Sequence, residues 1–301
     1  MTKQSRIHII LNKGNTMLKR KLLTIISLLL ILPVLTFARS DFENFQKTIP
    51  YEDLENLEIE IEIGIAELTI GQVEGNNLLE ANVRYDTDYD EPKISFRKSG
   101  KTGYLIIESR SDKDGELNTE DERWELLFTT KIPLNLQIDI GLVEGQLDMT
   151  ALKLTDLEIA GGLSNIELTF DEPNQERLDE INLEIGLGNF TAIGLGNANF
   201  GKLNLECGLG SATLELDGKW KVDEAELNLE VGLGSATVKI PEDLGVEVYS
   251  QSNFLSEVDL DRSIIEVRDG LYRNGNWDSA PHRLTIDAEV GLGSIEVEIV
   301  D

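Results

Sequence analysis

Between Lys202 and Ile240 the chain alternates with period two. Leu203, Leu205 and Cys207 are apolar, while Lys202, Asn204 and Glu206 between them are polar. The same pattern returns in Leu227, Leu229 and Val231, with Asn228 and Glu230 in the other phase. Alternation of this kind predicts a half-buried β-strand. Each run ends in a glycine triplet, and alternation then resumes out of phase: Ala212, Leu214 and Leu216 after the first triplet, Ala236, Val238 and Ile240 after the second. A one-residue slip sends every side chain of a straight strand to its opposite face. The chain is therefore expected to turn or bulge at Gly-Leu-Gly, with glycine supplying the positive-φ geometry of a corner and the central leucine pointing into the core.

The unit repeats. Gly-Leu-Gly triplets place corners at Gly186 and Gly188, Gly208 and Gly210, Gly232 and Gly234, and Gly291 and Gly293. Degenerate copies open at Gly64, Gly141 and Gly161. Two short strands and a corner every 20–25 residues predict an all-β, single-chain β-solenoid, in which stacking creates a continuous core that no unit has alone. Helical periodicity is absent beyond a short stretch near 173–178. Residues 78–133 read as a β-meander, and the acidic linker at 111–122 as a mobile loop. The predicted organisation is a leader over 1–38, an N-terminal β region with this meander insertion over 39–133, and the repeat solenoid over 134–301.

The leader is an over-extended start followed, from Met17, by the pattern of a signal peptide. Lys19, Arg20 and Lys21 precede an apolar run from Leu22 to Leu35, and Thr36 and Ala38 suit cleavage after Ala38. The run is short for a membrane span, which needs about 20 residues. With the leader cleaved the protein is not an integral membrane protein, and its setting is periplasmic, outer-surface or secreted. Cleavage also removes six of the 27 Lys and Arg residues and none of the 56 acids, so 21 bases face 56 acids, a net charge of −35. Such a surface repels phosphate backbones and excludes nucleic acid as a partner. It suits divalent cations or basic partners.

Little of the residue inventory carries catalytic chemistry. The single cysteine, Cys207, excludes an internal disulfide and takes an inward strand position. After cleavage His282 is the one histidine left, so a multi-histidine metal site is impossible. It reads as a surface or loop-closing residue. Tyr272 and Trp277 could stack on a sugar ring, or cover the open end of a solenoid. The glycines are not a phosphate cradle. The sixth position of each G-x-G-x-x-G frame is Thr191, Thr213, Thr237 or Glu296, and a strand follows instead of a helix. A calcium-binding β-roll is also unsupported, since its nine-residue units carry an aspartate missing here. No cofactor is indicated.

Stacking does predict an acidic column two places before each glycine: Glu62, Asp139, Glu184, Glu206, Glu230 and Glu289, with Glu158 nearby. Glu184, Glu206 and Glu230 form the candidate cation-binding strip. Asn182, Asn204 and Asn228 would stack as a structural amide ladder beside it.

The tail "LNLEVGLGSATVKIPEDLGVEV" and "YRNGNWDSAPHRLTIDAEVGLGSIEVEI" resembles the C-terminal domain of LiaF-like cell-wall-active antibiotic response proteins, the related toast-rack domain and bacterial "putative adhesin" domains. The resemblance covers residues 134–301, and more loosely 54–77. It implies a stacked β-solenoid, no catalytic residues and a cell-envelope setting. LiaF-like proteins place several membrane helices before this domain and restrain a sensor kinase; this chain has a signal peptide there. The expected function is a non-enzymatic binding or adhesin-like surface, with an envelope protein or glycan as partner. The alternatives are an envelope-stress regulator tethered by an uncleaved leader and, more weakly, a polysaccharide-acting β-helix enzyme.

Overall fold

The computed structural model describes residues 42–87, 92–109, 122–250 and 257–300. The leader and most of the linker at 111–122 lie outside the described residues. In chain order the strands are β1 (Phe42–Pro50), β2 (Asn56–Gln72), β3 (Asn77–Asp86), β4 (Lys93–Ser99), β5 (Thr102–Ser109), β6 (Arg123–Phe128), β7 (Pro133–Asp148), β8 (Lys153–Thr169) and β9 (Leu178–Ile193). They continue with β10 (Phe200–Cys207), β11 (Ser211–Glu215), β12 (Glu224–Val231), β13 (Ser235–Pro241), β14 (Gly245–Ser250), β15 (Glu257–Leu260), β16 (Ile265–Arg268), β17 (Leu271–Arg273), β18 (Arg283–Val290) and β19 (Ser294–Val300). Among the described residues the one helical element is a 3₁₀ turn at Leu195–Asn197. The protein is all-β, and its strands form one large, mostly parallel array.

Alternation with a phase flip takes two forms here. In β2, β7, β8 and β9 the chain stays extended through the glycine corner, so each is a single strand of 16 or 17 residues. In the later copies the corner is a bend between two strands, β10 and β11, β12 and β13, or β18 and β19. Either way one coil consists of a segment before the corner and a segment after it. Coils pair in parallel and in register. Leu183 sits opposite Leu205, which sits opposite Leu229. Beyond the corner Thr191 sits opposite Thr213, and Thr213 opposite Thr237.

The inner faces make the core. Ile61, Ile138, Ile159, Leu183, Leu205, Leu229 and Ala288 form one column of buried side chains running coil to coil. Burial of each large aliphatic side chain is worth about 1.5–3 kcal/mol. Buried asparagines close the return loops. Asn174 accepts from the Leu154 amide and donates to the Leu154 carbonyl, and Asn274 accepts from Val246 and donates to Leu244. Asn197 donates to the Phe170 carbonyl and accepts from the Lys219 amide. Each carboxamide thus stands in for a peptide group where the backbone has left the ladder.

The order of coils in space is not their order in the chain. β2 pairs with β7 on one side and with β5 and β6 on the other. Residues 78–133 are therefore not a simple meander: β5 and β6 join the parallel stack, while β3 and β4 add antiparallel strands beside them. At the other end β18 lies between β12 and β14, and β19 between β13 and β15. The strands β18 and β19 thus slot behind a coil that precedes them in the chain. The hairpin β16–β17 extends the outermost strand, β14, antiparallel.

Candidate functional site

The corners differ from expectation in the direction of their leucines. Leu142, Leu163, Leu187, Leu209, Leu233 and Leu292 are exposed, from 42% at Leu142 to 58% at Leu292, so they do not fill the core. The reason is the phase flip itself. Inward residues end one place before the first glycine and resume in the opposite phase, at Ala66, Val143 and Ser164 directly after the corner residue in β2, β7 and β8 and at Phe190, Ala212, Ala236 and Ile295 three places after it in the later copies, which leaves the central residue on the outside of the bend. In-register pairing turns the leucines into a ladder. Ile65 sits opposite Leu142, Leu142 opposite Leu163, and Leu163 opposite Leu187. The amides of Leu209, Leu233 and Leu292 then donate to the carbonyls of Gly186, Gly208 and Gly232, at 2.8–2.9 Å. At about 4.8 Å per coil, the seven positions span about 29 Å.

The role of the glycines also differs from expectation. Of the triplet glycines, Gly188 has a positive φ, of 132°. The others are held to glycine by the neighbouring coil. A Cβ on Gly210 would lie 2.4 Å from the Gly188 carbonyl oxygen, on Gly234 2.2 Å from that of Gly210, and on Gly293 2.0 Å from that of Gly234. The first glycines are tight as well: a Cβ on Gly186, Gly208, Gly232 or Gly291 would come 2.7–3.0 Å from the carbonyl oxygen of the coil before. In β8 the corner glycine is Gly162 and not Gly161. Gly161 is in register with Ile140 and Ile185 in the core column. The Ser164 hydroxyl fills the space its side chain would take, buried and without a hydrogen-bond partner.

Two polar columns border the leucines. Three residues before them run Glu62, Asp139, Ala160, Glu184, Glu206, Glu230 and Glu289, each opposite the next. Ala160 interrupts the acidic column in β8, where Glu62, Asp139 and Glu184 border an open groove of about 420 Å³. Glu158 belongs instead to the next column, opposite Gln137 and Asn182. That column carries the amide ladder: Asn204 donates to Asn182 at 2.7 Å, and Asn228 to Asn204 at 2.8 Å. Two residues after the leucines the border is Glu67, Glu144, Asn165, Asn189, Ser211, Ser235 and Ser294. It is acidic at one end and neutral along the rest.

The carboxylates of Glu184, Glu206 and Glu230 stand in single file, one per coil. Among the described residues no group of three or more His, Cys, Asp or Glu side chains is arranged to hold a metal ion. Neighbouring charges about 4.8 Å apart in water repel by about 0.9 kcal/mol. The column is a line of negative potential aimed outward.

The remaining candidate residues have structural partners. Cys207 is buried at 2% exposure in the column of Ile185 and Val231, and burial pushes its thiol above the usual range. The His282 Nδ1 lies 2.7 Å from the Val222 carbonyl oxygen. A carbonyl only accepts, so that nitrogen carries a proton and ties the return loop to the coil below. Tyr272 is partly buried on β17 against the core, and the guanidinium groups of Arg273 and Arg283 lie over the Trp277 ring. Arg273 also pairs with the buried Glu247. Among the described residues one carboxyl, that of Glu122, is raised above its ordinary value, by burial first, with the Asp86 carboxylate adding to the shift. Its backbone carbonyl accepts from the Glu67 amide at 2.8 Å, beside the Ile65 end of the ladder. The ladder escaped the sequence reading because an apolar residue inside a repeat is read as core; the signal available was the odd spacing across the triplet.

Comparison with known proteins follows the strands. The family described as the N-terminal domain of toast_rack, DUF2154, matches residues 38–193, that is β1 to β9. The match falls on the half of the chain before the quoted tail motifs. Among solved structures, a "putative cell adhesion protein" from Clostridium sporogenes is 18% identical, with 86% of this chain and 100% of that chain covered and a TM-score of 0.46. A "putative adhesin" from Bacteroides fragilis is 12% identical over 85% of this chain and 97% of that one, with a TM-score of 0.35. A "putative lipid binding protein" from Parabacteroides distasonis is 14% identical over 87% and 98%, with a TM-score of 0.36. No curated protein matches the chain.

Proposed function

Since the chain belongs to the toast_rack family, we propose that it is an exported, non-enzymatic binding module of the bacterial cell envelope whose working surface is the leucine edge. The observation that carries this reading is the ladder of exposed leucines. Each is held at a backbone corner of a hydrogen-bonded stack, so the row is rigid before anything binds. Soluble proteins rarely expose apolar side chains in a continuous row, and such rows mark interaction sites. A preformed row also loses little conformational entropy on binding. Catalysis lacks comparable support. A glycosidase pair needs one carboxyl held protonated beside a second at a defined separation, and Glu122, whose carboxyl is raised, is not among the residues lining the groove beside Glu62, Asp139 and Glu184.

The test uses the purified protein and a variant carrying Leu209→Thr and Leu233→Thr. Both side chains are more than half exposed, so the variant is expected to keep the fold. The parent, immobilised, should retain envelope components that the variant releases. Equal retention by the two proteins would sink the reading, as would cleaved products on a glycan array. Export is checked separately by mass spectrometry of the protein recovered from cells, where Arg39 is the expected first residue. An intact leader would support the tethered regulator instead.

A further inference from the structure

We propose that the occupant of the leucine edge is an amphipathic α-helix of about 20 residues whose apolar stripe carries Lys or Arg along one flank only. This rests on the binding role proposed above and adds the partner's chemistry. Two features of the edge point to it, one of spacing and one of charge.

The ladder repeats at about 4.8 Å and runs for about 29 Å. A helix of 20 residues is about 30 Å long. Successive positions in its apolar stripe, three and four residues apart, advance by about 5.3 Å on average, close to the ladder repeat. An extended segment laid along the ladder presents one face only every second residue, or about 6.7 Å, and falls out of step within two or three coils. A helix therefore meets the leucines over the whole row, whereas a strand meets only some of them.

Charge then orients the helix. On one side the leucines are bordered by Glu62, Asp139, Glu184, Glu206, Glu230 and Glu289. On the other side, from Asn165 onward, they are bordered by Asn189, Ser211, Ser235 and Ser294, which carry no charge. Basic groups on one flank of the stripe would face the carboxylate column, and neutral polar groups on the other would face the serines. A helix with acids on the first flank is repelled, and one with bases on both leaves those facing Asn165, Asn189 and the three serines without a partner. Charge complementarity of this kind governs specificity and the salt dependence of the encounter more than it governs affinity.

The probe is a synthetic, fluorescently labelled 20-residue helix with a leucine stripe, lysines on one flank and glutamines on the other. Its binding to the purified protein is followed by anisotropy at low and moderate salt. Three comparison peptides are used: one with glutamates for the lysines, one with the same composition scrambled to destroy the stripe, and one with lysines on both flanks. The designed helix is expected to bind at least ten-fold more tightly than the glutamate or scrambled peptide, and no less tightly than the doubly basic one. The Leu209→Thr/Leu233→Thr protein should bind it at least ten-fold more weakly. Glu206→Gln/Glu230→Gln should flatten the salt dependence while retaining the leucine-dependent part. Circular dichroism checks both proteins, and Leu163→Thr/Leu292→Thr replaces the first pair if that one has lost its fold. Equal binding of the scrambled peptide would overturn the proposal, since charge alone would then suffice. So would absence of binding by every peptide, or a parent dimer that the leucine variant abolishes, since a second copy would then be the occupant. Leucine-dependent retention of envelope components together with failure of the designed helix would remove the helix and leave the binding role standing.

Discussion

At the scale of single residues, the glycine triplets are set by the backbone of the neighbouring coil. Gly210→Ala or Gly234→Ala would drive a methyl group to 2.4 or 2.2 Å from a carbonyl oxygen that is itself fixed in a ladder. Each is expected to lower stability by about 1–3 kcal/mol, read from urea melts, because the coils must part to admit it. Gly275→Ala is the control. A Cβ there has no neighbour within 4 Å, and the change should stay within about 0.5 kcal/mol. Ser164 makes the opposite case. Its buried hydroxyl has no partner, so Ser164→Ala should raise stability by about 1 kcal/mol in the same assay. The equivalent place in β2 is already alanine, Ala66. Neither effect could be read from the sequence. Alternation reports which face a residue takes, but the contact of a glycine with an oxygen some 22–24 residues earlier exists only once the coils have stacked.

Elements show the same division between what is local and what is not. Alternation along β10, β12 and β18 gave their faces and, with the flip, the site of each bend. The Asn182, Asn204 and Asn228 ladder followed from equal spacing before the glycine, and the hydrogen bonds are present. The buried asparagines of the return loops were invisible, since Asn174 in "DEPNQER" reads as one more surface polar residue. Its carboxamide nevertheless satisfies both polar groups of Leu154. Asn174→Ala should therefore cost about 2–4 kcal/mol in chemical denaturation, more than loss of an exposed hydrogen bond, because the Leu154 amide and carbonyl stay buried and unpaired. The coil built from β5 and β6 was missed for a different reason. No glycine triplet joins those strands, so the repeat had no punctuation to align. The leucine edge was misread by a general habit, that apolar means inside; about half of a folded protein's surface is apolar.

For the whole molecule, charge and connectivity matter most. With 27 Lys and Arg facing 56 Asp and Glu, the stack works against its own field. Raising ionic strength from 10 to 150 mM should raise the melting temperature by screening that repulsion, and a melting temperature independent of salt would mean the field is already neutralised by bound counterions. Stacked repeats ordinarily grow outward from any starting unit, each new coil covering the last. Here β18 and β19 break that rule by entering between β12–β13 and β14–β15. As the chain is made, β14 and β15 therefore come before the strands that join them to the stack. The array closes only when the late pair drops into place, like a keystone, so a chain halted before Arg283 leaves β12 and β13 with an open edge and β14 and β15 without the strands that tie them to the stack.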